Sequence, residues 1–216
     1  KKWLYVSKLM KLLKIPPAVR LVEFAHVSPE TISGRQIVPM QLFQYMGRMT
    51  GSSNRIFVIS GFQGPSKNDV HVSGLFQKAI SKGVFSPVAD VFVTPVVNPS
   101  SDPKEAWHNH KGVDLRVSDH SENAVVPVEI QTLKRWIEFA KPKAIISLTT
   151  GAPGVRAFGV PQSVNQRLAD LTERQLQDIA GSEANAPAFG MREWALNQEM
   201  IWIEFSIDES KKSFDD

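Results

Sequence analysis

"RIFVISGFQGPSKNDVHVSGLFQKAI", residues 55 to 80, reads as a short apolar strand, a sharp glycine-flanked turn and a helix. Arg55 to Ser60 is a compact apolar run, which marks a strand buried by its surroundings. Val70 to Ser81 is helical in pattern, and Gly83 stands where a helix C-terminus favours glycine. Strand, tight turn and helix together are how many α/β enzymes present a catalytic loop. Yet the turn holds Gln63, Gly64, Pro65 and Ser66, none of which binds a metal or activates water unaided.

The rest of the chain repeats the alternation. Trp3 to Leu13 carries Leu4, Leu9, Leu12 and Leu13 among lysines, an amphipathic helix stopped by Pro16-Pro17. Strands are predicted at Val19 to Val27, Gln36 to Phe43, Asp90 to Val97, Lys143 to Leu148 and Met200 to Ser206. Helices are predicted at Ala124 to Ala140, Gln162 to Ile179 and Arg192 to Gln198. Residues 99 to 121 read as irregular, and 151 to 161 as a loop rich in Gly and Pro. This order predicts an α/β fold in one domain, 1–216. Its centre is a mixed, largely parallel open sheet of about six to eight strands, covered by helices on both faces.

Composition narrows the function classes. With 216 residues and 42% hydrophobic content, the chain can build one sizeable core. Its 25 Lys and Arg stand against 22 Asp and Glu, and they are scattered rather than gathered in a stripe, which argues against nucleic acid as a partner. With no cysteine, disulfides, thiolate metal sites and a cysteine nucleophile are excluded. No apolar run is long enough to span a bilayer. The sequence starts Lys1-Lys2 without an initiator Met, so the reading expects a trimmed N-terminus and a periplasmic or secreted protein.

In an open α/β sheet, ligands bind outside the carboxyl ends of the strands, so the loops after the strands matter most. In order they read "GFQG" at 61 to 64, "VVNP" at 96 to 99, "HNHKGVDL" at 108 to 115, "ISLTTG" at 146 to 151 and, within the last strand, "IWIEF" at 201 to 205. This ordered set resembles the zinc carboxypeptidase family. "SGRQI" at 33 to 37 and "VEIQTLKRWIEFAKPKAIISL" at 128 to 148 resemble its N-terminal strand-turn and the helix before its later metal ligand. The likeness runs along nearly the whole chain.

What the resemblance implies, the side chains here contradict. The family holds zinc with a His and a Glu in the first loop and a second His after a later strand, leaving one position for a water that the metal deprotonates. Those positions correspond to Gln63, Ser66 and Thr149. Amide and hydroxyl groups are poor zinc ligands, so no metal cofactor is expected. The Asn-Arg pair that grips a substrate's terminal carboxylate is also altered. Arg116 sits one place early and Val117 follows it, while the family's oxyanion-stabilising arginine falls near Trp107. Asn109 and Asp114 survive, either as loop-holding residues or as part of a substrate site.

Glu204 occupies the family's general-base position. Without zinc, water keeps a pKa far above neutral, and a lone carboxylate cannot generate hydroxide. Glu204 is therefore either an inactive remnant or an outward residue of an alternating strand. His108, His110 and His120 could rebuild a metal site with Asp114 and Asp119, or they belong to a solvated loop. Trp107, Phe158, Trp194 and Trp202 line a groove or belong to the core. The sequence thus predicts a catalytically degenerate carboxypeptidase-like domain that binds a peptide, such as a peptidoglycan stem peptide, or a protein partner. The alternative is an active metallocarboxypeptidase or amidase whose unorthodox zinc site combines Gln63 with His108, His110 or Glu204.

Overall fold

The computed structural model describes residues 19–47, 54–65, 67–82, 89–101, 107–116, 126–151, 154–172 and 189–207. The helix predicted over Trp3 to Leu13 lies outside them, as do Ser66, Val117, Asp119 and His120.

In chain order the elements are β1 (Val19–Ala25), β2 (Thr31–Ile32), β3 (Arg35–Gln36), β4 (Met40–Tyr45), β5 (Arg55–Ile59), α1 (Asn68–Ser81), β6 (Asp90–Thr94), α2 (Val128–Ala140), β7 (Ala144–Thr150), β8 (Gly154–Phe158), α3 (Gln162–Thr172), α4 (Phe189–Asn197) and β9 (Ile201–Ile207). Seven strands form one sheet in the order β1-β4-β6-β5-β7-β9-β8, and β2 pairs with β3 alone. The four central strands, β6, β5, β7 and β9, run parallel, and antiparallel pairs flank them on each side.

The alternation of side chains divides the core between the two faces of the sheet. Phe57, Ile59, Phe92, Ile145 and Trp202 point to one face and are covered by Ile130, Leu133, Trp136 and Ile137 of α2 with Met191 and Ala195 of α4. Val58, Val91 and Val93 point to the other, where Ile80 and Phe76 of α1 close over them. Helices therefore cover both faces, as the element order predicts.

Two sequence expectations are corrected. The run Gln36 to Phe43 is not one strand: Thr31–Ile32 and Arg35–Gln36 form a small hairpin, and β4 starts after Pro39. Ser33 and Gly34 both have positive φ, the geometry of a tight two-residue hairpin turn. The stretch 151 to 161 is not all loop, because Gly154–Phe158 pairs antiparallel with β9. No alternation marks this strand in the sequence, because Arg156, of a residue type that is mostly exposed, is buried beside Val155 and Ala157.

Candidate functional site

The loops after β5 and β6 are stitched together beyond the last strand residues. Ser60 donates its N–H to Thr94 O, Val97 to Ser60 O and Asn98 to Gly61 O. Gly61 has φ +71, and a Cβ there would lie 2.8 Å from Val96 Cα, so only glycine permits this approach. The next residue, Phe62, is buried in the main core and anchors the turn, which closes through Gly64 N–H to Gly61 O. Gly64, at φ +103, packs against the Ser101 side chain.

At the start of α1, the Asp69 carboxylate accepts the Gly61 N–H at 2.7 Å and so ties the helix to the turn. Among the described residues, its other oxygen is buried without a hydrogen-bond partner of good geometry. Burial pushes this carboxyl up to about 6, and hydrogen bonds from Gly61, Val70 and its own backbone pull it only part of the way back. The sequence gives Asp69 no distinguishing mark.

This frame holds Gln63 half-buried at the carboxyl edge of the sheet. Its Oε1 accepts a hydrogen bond from Thr150 Oγ1 at 2.5 Å. Thr149 is turned the other way: its buried hydroxyl lies 3.4 Å from Ser206 Oγ and 3.5 Å from Phe205 O. Successive strand residues point to opposite faces, so Thr150 is the β7 side chain that meets Gln63.

Glu204 is paired in register with Ser147 on β7 and Arg156 on β8, while Thr149 is paired with Ser206. It therefore sits two residues before the level of Thr149, roughly 7 Å farther from the carboxyl edge. Both its oxygens are engaged. Oε2 accepts from Arg156 Nε at 2.9 Å and Nη2 at 2.8 Å, and Oε1 from Trp202 Nε1 at 3.0 Å and Arg192 Nη1 at 3.4 Å. The three charged side chains are only 3–4% exposed, and both guanidinia lie over the Phe158 ring, at 5.1 and 4.3 Å. Trp202 is core, and Phe158 and Trp194 pack against it. Arg156 and Arg192 escape sequence reading because their partner is distant in the chain.

The 107–116 segment is a separately braced loop. Asn109 Oδ1 accepts the N–H groups of Lys111 and Val113, while its Nδ2 donates to the buried Glu129 carboxylate at 3.2 Å. Arg116 forms a bidentate pair with Asp114, as close as 2.5 Å, and its guanidinium lies 5.3 Å from the Trp107 ring centre. Burial raises the Asp114 carboxyl, but the bonds and charge of Arg116 outweigh it and leave that carboxyl below its ordinary value. His110 Nδ1 contacts Ser100 Oγ at 3.2 Å, and His108 forms a backbone bridge with Asp114.

Among the described residues, no group of three or more His, Asp or Glu side chains is arranged to hold a metal. The edge side chains themselves do not fit zinc: Gln63 and Thr150 offer an amide and a hydroxyl bonded to each other.

No protein-family model and no curated protein matches the sequence. Solved structures do. The murein-tripeptide amidase MpaA from Escherichia coli O157 superposes with a TM-score of 0.61 at 15% identity, over 90% of this chain and 84% of the amidase. A metallo-carboxypeptidase from Burkholderia cenocepacia gives 0.58 at 15% identity, over 94% of this chain and 59% of its own. An aspartoacylase family protein from Mesorhizobium loti gives 0.57 at 12% identity, over 89% and 62%. The fold is thus metallocarboxypeptidase-like, and the chain spans little more than half the length of the Burkholderia enzyme.

Proposed function

We propose that this protein is a catalytically degenerate carboxypeptidase-like domain that binds a peptide at the carboxyl edge of its sheet. The observation that carries the reading is the Gln63–Thr150 hydrogen bond, which sets two neutral side chains against each other at the carboxyl edge of the sheet. Glu204 supports it. A carboxylate already accepting from two arginines and an indole N–H has both oxygens engaged and none aimed at a water.

The same edge offers a groove of about 200 Å³ lined by Val38, Pro39, Pro65, Pro95, Val96 and Pro99, with Gln36 and Gln41 as its polar members. Pro65 lies two residues beyond Gln63, so the groove adjoins the degenerate centre. Its walls carry no charge, which suits a neutral peptide side chain, and its size suits one such group. Likeness to the murein-tripeptide amidase makes a peptidoglycan stem peptide the ligand to try first, in a periplasmic or secreted setting.

The test combines elemental analysis of protein purified without chelators, calorimetric titration with a murein tripeptide, and a hydrolysis assay on that peptide. We expect far less than equimolar zinc, saturable peptide binding weakened by Val38→Glu, and no cleavage. Equimolar zinc together with chelator-sensitive cleavage would overturn the proposal, as would an absence of binding.

A further inference from the structure

The two edges of the seven-stranded sheet are treated very differently. On β8, the edge residue Ala157 is closed off by a side chain: Asn165 of α3 accepts its N–H and donates to its C=O at 2.8 Å. Four of the five β8 residues are buried. β1 is the opposite case. None of its seven residues is buried, and among the described residues no strand lies beyond it.

The exposed face of β1 is also apolar in an ordered way. Val19, Leu21 and Phe24 are paired with Tyr45, Phe43 and Gln41, so all three share the α1 face of the sheet. They are 43%, 49% and 56% exposed. A shift of register between Leu21 and Glu23 puts one extra residue into the strand. Val22 packs on the α2 face and Glu23 is paired with Leu42 there, so two consecutive residues share that face. A long, unpaired, apolar edge is a template for strand addition unless something covers it.

We propose that β1 pairs with β1 of a second copy, antiparallel about a two-fold axis perpendicular to the sheet. The bulge selects the axis. Centred between Val22 and Glu23, the pairing sets Leu21 beside Phe24 of the second copy and Arg20 beside its Ala25, with faces matched on both sides. The strand is self-complementary in this register, and the stripe of one copy continues into that of the other. Glu23 enters the pair already neutralised by Arg135 at 2.5 Å. An interface of one short strand and its flanks lies at the small end of the range for specific association, so a dissociation constant on the order of 10 µM is expected.

The chain lacks cysteine, which makes crosslinking clean. Sedimentation velocity of the full chain from roughly 1 to 300 µM should show a monomer–dimer equilibrium. Phe24→Asp should weaken it by about tenfold or more, because it places a charge in the strand pair, whereas Leu171→Asp on exposed α3 should not. The double variant Leu21→Cys, Phe24→Cys should form an interchain disulfide dimer on mild oxidation, and circular dichroism would establish that each variant is folded. A monomer throughout the range would overturn the proposal, whether residues 1–18 or a foreign strand covers the edge. So would a dimer that is indifferent to Phe24→Asp and fails to crosslink.

Discussion

Asp69→Asn offers a direct measure of how the turn at Gly61 is held. In the folded protein the Asp69 carboxyl titrates at about 6 instead of 3.8, because burial disfavours its charge more than its backbone hydrogen bonds favour it. At 1.36 kcal/mol per pH unit, the whole displacement is worth on the order of 3 kcal/mol. The sign follows from proton linkage. Between about pH 4 and pH 6 the folded state holds this proton and the unfolded state has lost it, so stability contributed by Asp69 is present at low pH and is lost as pH rises through 6. Roughly 2 of the 3 kcal/mol should disappear between pH 4 and pH 7. Asparagine keeps an oxygen for the Gly61 N–H but cannot ionise. Urea unfolding of wild type and Asp69→Asn across this range, with elongated titration series near pH 5, isolates the term. The stability difference between the two proteins should move by about 2 kcal/mol in favour of the variant as pH rises, whatever its value at pH 4. A difference that stays constant with pH would refute the raised Asp69 carboxyl and the burial argued to cause it.

Three other perturbations follow from the same geometry. Glu204→Gln should lower stability by about 3 kcal/mol or more, read by thermal unfolding, because it strips the charge partner from two guanidinia that are almost fully buried. Gly61→Ala should cost clearly more than Gly34→Ala: both have positive φ, but a Cβ at 61 meets the backbone of Pro95 and Val96 while one at 34 meets nothing within 4 Å, so denaturant midpoints should separate the two. Replacing Gln63 and Thr150 together by histidine should give a protein whose melting temperature rises with added zinc more than that of Gln63→His, Thr149→His, since only the first pair of side chains is already in contact.

The sequence by itself determined the architecture. Apolar strands at 55–59, 90–94, 144–150 and 201–207 alternate with helices because buried strands and amphipathic helices are local patterns, readable in a window of a dozen residues. The ordered loops that carry the family resemblance, and the amide and hydroxyl side chains at Gln63, Ser66 and Thr149, were legible for the same reason. What only the tertiary structure decided depends on residues distant in the chain. It is the β7 register, through strand alternation, that brings Thr150 rather than Thr149 to Gln63, a contact across 87 positions. Arg156 became a core residue, and its segment a strand, because Glu204 lies 48 positions away and removes the cost of burying its charge. The openness of β1 was equally hidden, since a strand's own residues do not say whether its outer backbone groups find a neighbour; that is settled by its place in the sheet order.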